Sequence, residues 1–186
     1  VDASQALDTA NAQSADNLAD AKTAAKTTIT SDLTDIQDNI DGIQDNIADL
    51  QQLVTDNPTN TQIADKLADA QQQLNDAQAE KQAAQDALDA VDNQTTLADV
   101  QAQTDAAGQA VVNSDGDATQ AQTDLDEAQN LANADLAAEQ AAAQKAVDDQ
   151  IAQITDDIAA ITDDVATLQE IATNNPDDTE NAHAAH

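Results

Sequence analysis

Residues 33–54 read LTDIQDNIDGIQDNIADLQQLV, and their aliphatic members Leu33, Ile36, Ile40, Ile43, Ile47, Leu50 and Val54 alternate steps of three and four. That spacing puts every aliphatic side chain on one face of an α-helix and the intervening Asp, Asn and Gln on the other, so the segment buries a heptad seam against partner helices. Upstream the stripe widens to steps of eleven, through Leu7, Leu18, Ile29 and Ile40. Eleven residues span almost three whole turns, which keeps the stripe on one side while relaxing the supercoil. A lone Gly42 inside so strong a period does not stop a helix, and the pattern predicts one from about residue 4 to residue 56.

The helix must stop at Asn57, because the residue before Pro58 disfavours the helical backbone. Thr59 and Gln62, spaced as a capping box, predict the start of a second helix over about 59–91, with Ile63, Leu67, Ala70, Leu74, Ala77, Ala84, Leu88 and Val91 on its seam and Lys81 among them. Asp92-Asn93-Gln94-Thr95 reads as a turn. Leu97, Val100, Thr104, Ala107 and Val111 then predict a shorter helix over about 96–112, closed by the turn-forming run Asn113-Ser114-Asp115-Gly116-Asp117.

Pro58 and Pro176 stand 118 positions apart (176 − 58), inside the similar stretches LQQLVTDNPTNT and LQEIATNNPDDT. The same offset pairs Leu7 with Leu125, Leu18 with Leu136, Ile29 with Val147 and Ile36 with Ile154. It goes on to pair Ile40 with Ile158, Ile43 with Ile161, Ile47 with Val165, and Leu53 with Ile171. Self-similarity at a fixed period is the signature of a repeat architecture. The expectation is a full helical repeat over 1–118 and part of a second over 119–186, whose long helix covers about 118–174 before the next begins. Short connections make sequential helices antiparallel neighbours, so the fold class expected is all-α: an elongated antiparallel three-helix bundle or coiled-coil unit, tandemly repeated. The seam positions are Leu33, Ile36, Ile40, Ile43, Ile47 and Leu50 in the first copy and Ile151, Ile154, Ile158, Ile161, Val165 and Leu168 in the second, with hinges at Asn57-Pro58 and Asn175-Pro176.

Composition narrows the function classes. The chain has no aromatic residue, methionine or cysteine, so its core is Ala, Val, Ile and Leu alone, suited to narrow helix seams rather than to the thick interior that surrounds most ligand pockets. Against 37 acidic residues stand 5 basic ones, for a formal charge of −32. Phosphate recognition needs a basic footprint, which excludes nucleic acid as a partner and makes anionic membrane surfaces equally unsuited. No run of about 18 apolar residues spans a membrane, so no membrane insertion is expected. An acidic, Asp/Asn/Thr/Gln-rich chain opening on Val1 rather than methionine sets the expectation of export.

The chemistry-bearing residues are sparse. Asp156-Asp157 and Asp163-Asp164, like Asp38, Asp41 and Asp45, lie along outward helix faces, where a divalent cation could bridge carboxylates but where charge ordinarily serves solvation. The run VVNSDGDATQAQ has part of a calcium-loop pattern, yet its first position is Val111 and its twelfth Gln122, leaving Asp115 and Asp117 as weak cation candidates. His183 and His186 share a helical spacing but have no third ligand. Asn93-Gln94-Thr95 has the form of a glycosylation acceptor. No serine, threonine or cysteine pairs with a histidine and an acid, and with three glycines there is no phosphate loop, so neither catalysis nor a cofactor is expected.

The stretch NPTNTQIADKLADAQQQLNDAQAEKQAAQDALDA, residues 57–90, resembles the alanine-rich helical stalk repeats of bacterial cell-wall surface proteins and adhesins, in particular those of lactic acid bacteria. The chain departs from the usual pattern in having few lysines and no tyrosine. The resemblance implies an extracellular, cell-surface spacer that lifts a distal binding domain from the wall and has neighbouring repeats as its main partners. Ile at both seam positions also suits more than two strands, so homo-oligomer or filament contacts are the alternative expectation. Direct adhesion or cation binding by the helical surface ranks below both.

Overall fold

A computed structural model of the chain describes residues 2–174. Among these the chain is all-helical: α1 (Ala3–Asp56), α2 (Thr61–Ala90), a 3-10 turn (Val91–Asn93) and α3 (Leu97–Asn174). The chain divides into two units, the first ending at Asn133 and the second beginning at Ala134.

The helix ends follow from local chemistry. Asp2 caps α1, accepting a hydrogen bond from the Ser4 amide at 3.4 Å. At the other end the Asn57 amide and its side-chain Nδ2 both donate to the Leu53 carbonyl at 2.9 Å, absorbing an otherwise orphaned acceptor just before Pro58. The cap of α2 is Asn60, whose Oδ1 accepts from the amides of Gln62 and Ile63 at 3.0 and 3.3 Å; it displaces the Thr59–Gln62 capping box the sequence suggests and moves the helix start to Thr61. Thr96 begins α3, with its Oγ1 accepting from the Asp99 amide at 3.1 Å and donating to Asp99 Oδ2 at 2.7 Å. Along the outer faces, Gln side chains donate to Asp four residues on, as in Gln37–Asp41, Gln82–Asp86 and Gln153–Asp157, a spacing that brings the two side chains together on a helix surface.

The expected turn at Asn113–Asp117 does not form. α3 passes through it for a total of 78 residues, and no glycine in the described chain takes a positive φ. The physical reason is that a glycine in a helix costs only about 1 kcal/mol relative to alanine, less than the burial that continuing the helix gains. A heptad stripe, Val100, Ala107, Ser114, Ala121 and Ala128, runs straight across the segment, buried at every position. Residues 119–133 lie in the same compact unit as the residues before them, and Ala121, Asp124, Leu125 and Ala128 among them are buried.

Unit 1 is therefore a three-helix bundle whose core consists of three such stripes. The α1 stripe is Ile29, Ile36, Ile43 and Leu50, and the α2 stripe is Ile63, Ala70, Ala77 and Ala84, continued by Val91 of the 3-10 turn; all are 0 % exposed. Large side chains on α1 face stripes on α2 and α3 that are mostly alanine, a size pairing that lets the helices approach closely and fill the seam without aromatics. Leu67, Leu74, Leu88 and Val111 flank the core half-buried. Cross-helix hydrogen bonds fix the directions: Lys81 with Gln37, and Lys22 with Asp92, make α1 and α2 antiparallel. Lys66 with Asp124, and Glu80 with Asn113, make α2 and α3 antiparallel as well. In unit 2 the described residues form the remainder of α3 alone, 134–174.

Candidate functional site

Two features of the structure combine named side chains into something with a possible role: the polar locks between the helices of unit 1, and the aliphatic face of unit 2.

The locks use four of the five lysines. Lys22 Nζ donates to the Asp92 carbonyl at 2.8 Å, and Lys26 Nζ lies 2.5 Å from both Asp92 carboxylate oxygens, so the middle of α1 holds the turn after α2. Lys81 donates to Gln37. Lys66 reaches from α2 to α3, where it pairs with Glu127 and with Asp124 at 3.1 Å. Asp124 is 1 % exposed, a burial that a carboxylate tolerates only with full hydrogen bonding; Gln73 Nε2 at 3.0 Å and Gln120 Nε2 at 3.4 Å supply the rest. The hydrogen bonds from Lys66 to Glu127 and Asp124 hold its ammonium above the ordinary lysine pKa. The fifth, Lys145, pairs within α3 with Asp149 at 2.7 Å.

A third lock joins α1 and α3. Asn39 Nδ2 donates to Ser114 Oγ at 3.0 Å and to Asp115 Oδ1 at 2.7 Å, while the buried Ser114 hydroxyl donates to the Val111 carbonyl at 3.0 Å. The sequence reading misses this group because it assigns Ser114 and Asp115 to a turn. The heptad register Ala107–Ser114–Ala121 is the signal that places them on a helix. Two carboxyls in the unit sit against their own charge. Asp32 is raised by burial and then by Asp35, and its Oδ2 is buried without a hydrogen-bond partner. Asp117 is raised by burial and then by Asp76 and Glu80.

Asp115 and Asp117, the weak cation candidates, are not brought together, since residues two apart on a helix point in different directions. Asp115 is engaged by Asn39, and Asp117 is half-buried near α2. Among the described residues no group of three or more His, Cys, Asp or Glu side chains converges so as to hold a metal. Two open grooves run between α1 and α3, one lined by Asn39, Asp115, Ala118, Thr119, Gln122 and Thr123, the other largely by Ala21, Ala25, Thr28, Val100 and Thr104.

The seam residues fall into two environments. In unit 1, Ile36, Ile40, Ile43, Ile47 and Leu50 are buried and Leu33 is half-buried. Their counterparts on α3 are open: Ile151, Ile154, Ile158, Ile161 and Val165 range from 42 to 62 % exposed, and Leu168 is half-buried. No other helix of unit 2 lies among the described residues to cover them. Asn57 and Pro58 occupy the α1–α2 turn, whereas Asn175, Pro176, His183 and His186 lie outside the described residues. No helix of the described chain is long and apolar enough to cross a membrane.

Comparison with known proteins leaves the site to be read from its own geometry: no family model matches the chain, and neither a curated protein nor a solved structure is significantly similar to it.

Proposed function

We propose that the chain is a non-catalytic spacer, part of a tandem array of helical bundles in the stalk of an exported bacterial surface protein that projects a distal domain. The observation that carries this reading is α3. Its first part, including Val100–Ala128, is the third helix of the unit 1 bundle, and it continues without a break into residues whose seam repeats that of α1 at an offset of 118. A seam that recurs at a fixed period suits an array whose length grows with copy number, which a flexible linker does not provide. The lysines and amides of unit 1 point the same way. Lys22, Lys66, Lys81 and Asn39 bond from one element of the bundle to another, as bracing requires. The Asn57–Pro58 turn and its counterpart Asn175–Pro176 are the hinge points of each repeat in this proposal, and neighbouring repeats are its partners. The extracellular setting follows from the resemblance of residues 57–90 to stalk repeats.

Small-angle scattering on a concatemer of two and then three copies of residues 1–118 tests the spacer. The expected result is a maximum dimension that grows linearly with copy number. A dimension that plateaus, as it does when copies fold back on one another, is the result that rejects it.

The exposed aliphatic face of unit 2 favours a second reading, a subunit of a helical filament that self-associates through that face. Sedimentation at high protein and salt concentration separates the two: the spacer stays monomeric, and the filament subunit grows.

A further inference from the structure

The face of α3 formed by Val147, Ile151, Ile154, Ile158, Ile161 and Val165 matches, residue for residue at the repeat offset, a face of α1 that unit 1 buries under α2 and residues 100–128 of α3. The stripe is also continuous in sequence with an interface already made, since the step of eleven leads from the buried Leu125 through Leu136 and Val147 to Ile158. We propose that this face docks a pair of antiparallel helices from a neighbouring repeat, patterned like α2 and the first part of α3 but carrying a hydrogen-bond donor where Asp115 stands. The proposal rests on the repeat equivalence in the reading above.

The donor follows from one substitution between the copies. Asn39 holds unit 1 together by donating to Ser114 and Asp115. Its counterpart is Asp157, which as a carboxylate only accepts. An exact duplicate of α3 would set the Asp115 carboxylate against Asp157, and like charges in a desolvating seam repel. Lysine, arginine or an amide at that position turns the repulsion into a bond, so the change specifies which helical pair fits.

Other occupants fit less well. Residues 175–186 alone are far shorter than the α2 and α3 segments that cover α1, and so cannot supply the pair by themselves. A second copy of the chain has the right helices, but they are already buried against its own α1.

The test replaces residues 175–186 of the chain with a second copy of residues 57–133 and follows amide exchange across residues 147–168. With the duplicate unaltered, protection rises weakly. With Asp157→Asn restoring the donor, exchange slows by at least ~10-fold relative to the unextended chain, as cooperative burial of a helix requires. Adding Ile158→Asp removes that protection. Exchange that is unchanged by the extension, with and without Asp157→Asn, overturns the proposal. So does an unextended chain that dimerises in sedimentation while protecting 147–168, because the occupant is then a second copy. A parallel variant replaces residues 33–50 by 151–168 while keeping Asn39. If its unit 1 still folds, the repeat equivalence stands and a negative extension result sinks only the docking; if it unfolds, the equivalence and the reading built on it fall together.

Discussion

Asp32 and Asp117 are held in the charged form at a cost, Asp32 by burial with an unpaired oxygen and Asp117 by burial opposite Asp76 and Glu80. Their folded pKa values lie above the ordinary 3.8, so between that value and the raised one the folded chain binds more protons than the unfolded chain. Stability from these two groups therefore rises as pH falls through that window and is lowest at neutral pH. Lys66 has the opposite dependence: with its pKa raised above 10.5, its contribution is complete below that value and is lost as pH climbs through the folded one. Asp117→Lys should convert a repulsion into an attraction across α2 and α3 and stabilise the chain at pH 7 by up to ~1 kcal/mol. Asp32→Asn should also stabilise it, and both gains should shrink toward pH 4 in urea titrations; an unchanged or lowered midpoint at pH 7 would count against the placement of these carboxyls. In the core the sign is reversed. Ile43 is 0 % exposed, and Ile43→Asp puts an unpaired carboxylate there at a cost of several kcal/mol, on the order of the whole stability of such a bundle, so far-ultraviolet circular dichroism should register the loss of unit 1 at 25 °C.

At the scale of elements, α3 is the informative helix. Gly42, Gly108 and Gly116 all sit inside helices at negative φ, and an added Cβ meets no atom within 4 Å at any of them. Gly116→Ala should raise stability by about 0.5–1 kcal/mol, by shrinking the conformational freedom of the unfolded chain and removing a poor helix former. Gly116→Pro should cost ~3 kcal/mol or more and break α3 where the sequence suggested a turn. If both variants melt alike, the segment is not helical. The same helix marks how far the sequence could be read. The α1 seam is legible because large aliphatics recur at three and four, and that of α2 because Ile63, Leu67, Leu74 and Leu88 keep its alanines in register after Pro58 marks where α1 ends. The α3 seam is mostly alanine and serine, with Val100 and Leu125 its larger members, so periodicity of hydrophobic size fades while the polar run Asn113–Asp117 imitates a turn. What decides the matter is tertiary: a stripe at steps of seven that has α1 and α2 to pack against. The cross-helix locks were illegible for a related reason. Nothing local ties Lys66 to Asp124, 58 positions away, until the α2–α3 register is known.

Over the whole molecule, the dominant long-range term is charge. With 37 acidic residues against 5 lysines, each acidic side chain sees mostly repulsion, and folding brings those charges closer than the unfolded chain holds them. Salt acts on two opposed terms. It screens the repulsion, which stabilises, and it weakens exposed ion pairs such as Lys26–Asp92 and Lys145–Asp149, which destabilises. The pairs are few and each exposed one is worth roughly 0–1 kcal/mol, whereas the repulsion sums over many acidic side chains lying well within the ~30 Å screening length at 0.01 M salt. Raising sodium chloride from 0.01 to 1 M cuts that length to ~3 Å and should leave only near neighbours interacting. The melting temperature should therefore climb steeply up to about 0.2 M and flatten above it, and sodium chloride and sodium perchlorate should agree over the rising part because screening depends on ionic strength alone. A melting temperature that falls with salt would mean that the lysine locks outweigh the net charge of −32, and the stability of the bundle would then have to be sought in its ion pairs rather than in its aliphatic seam.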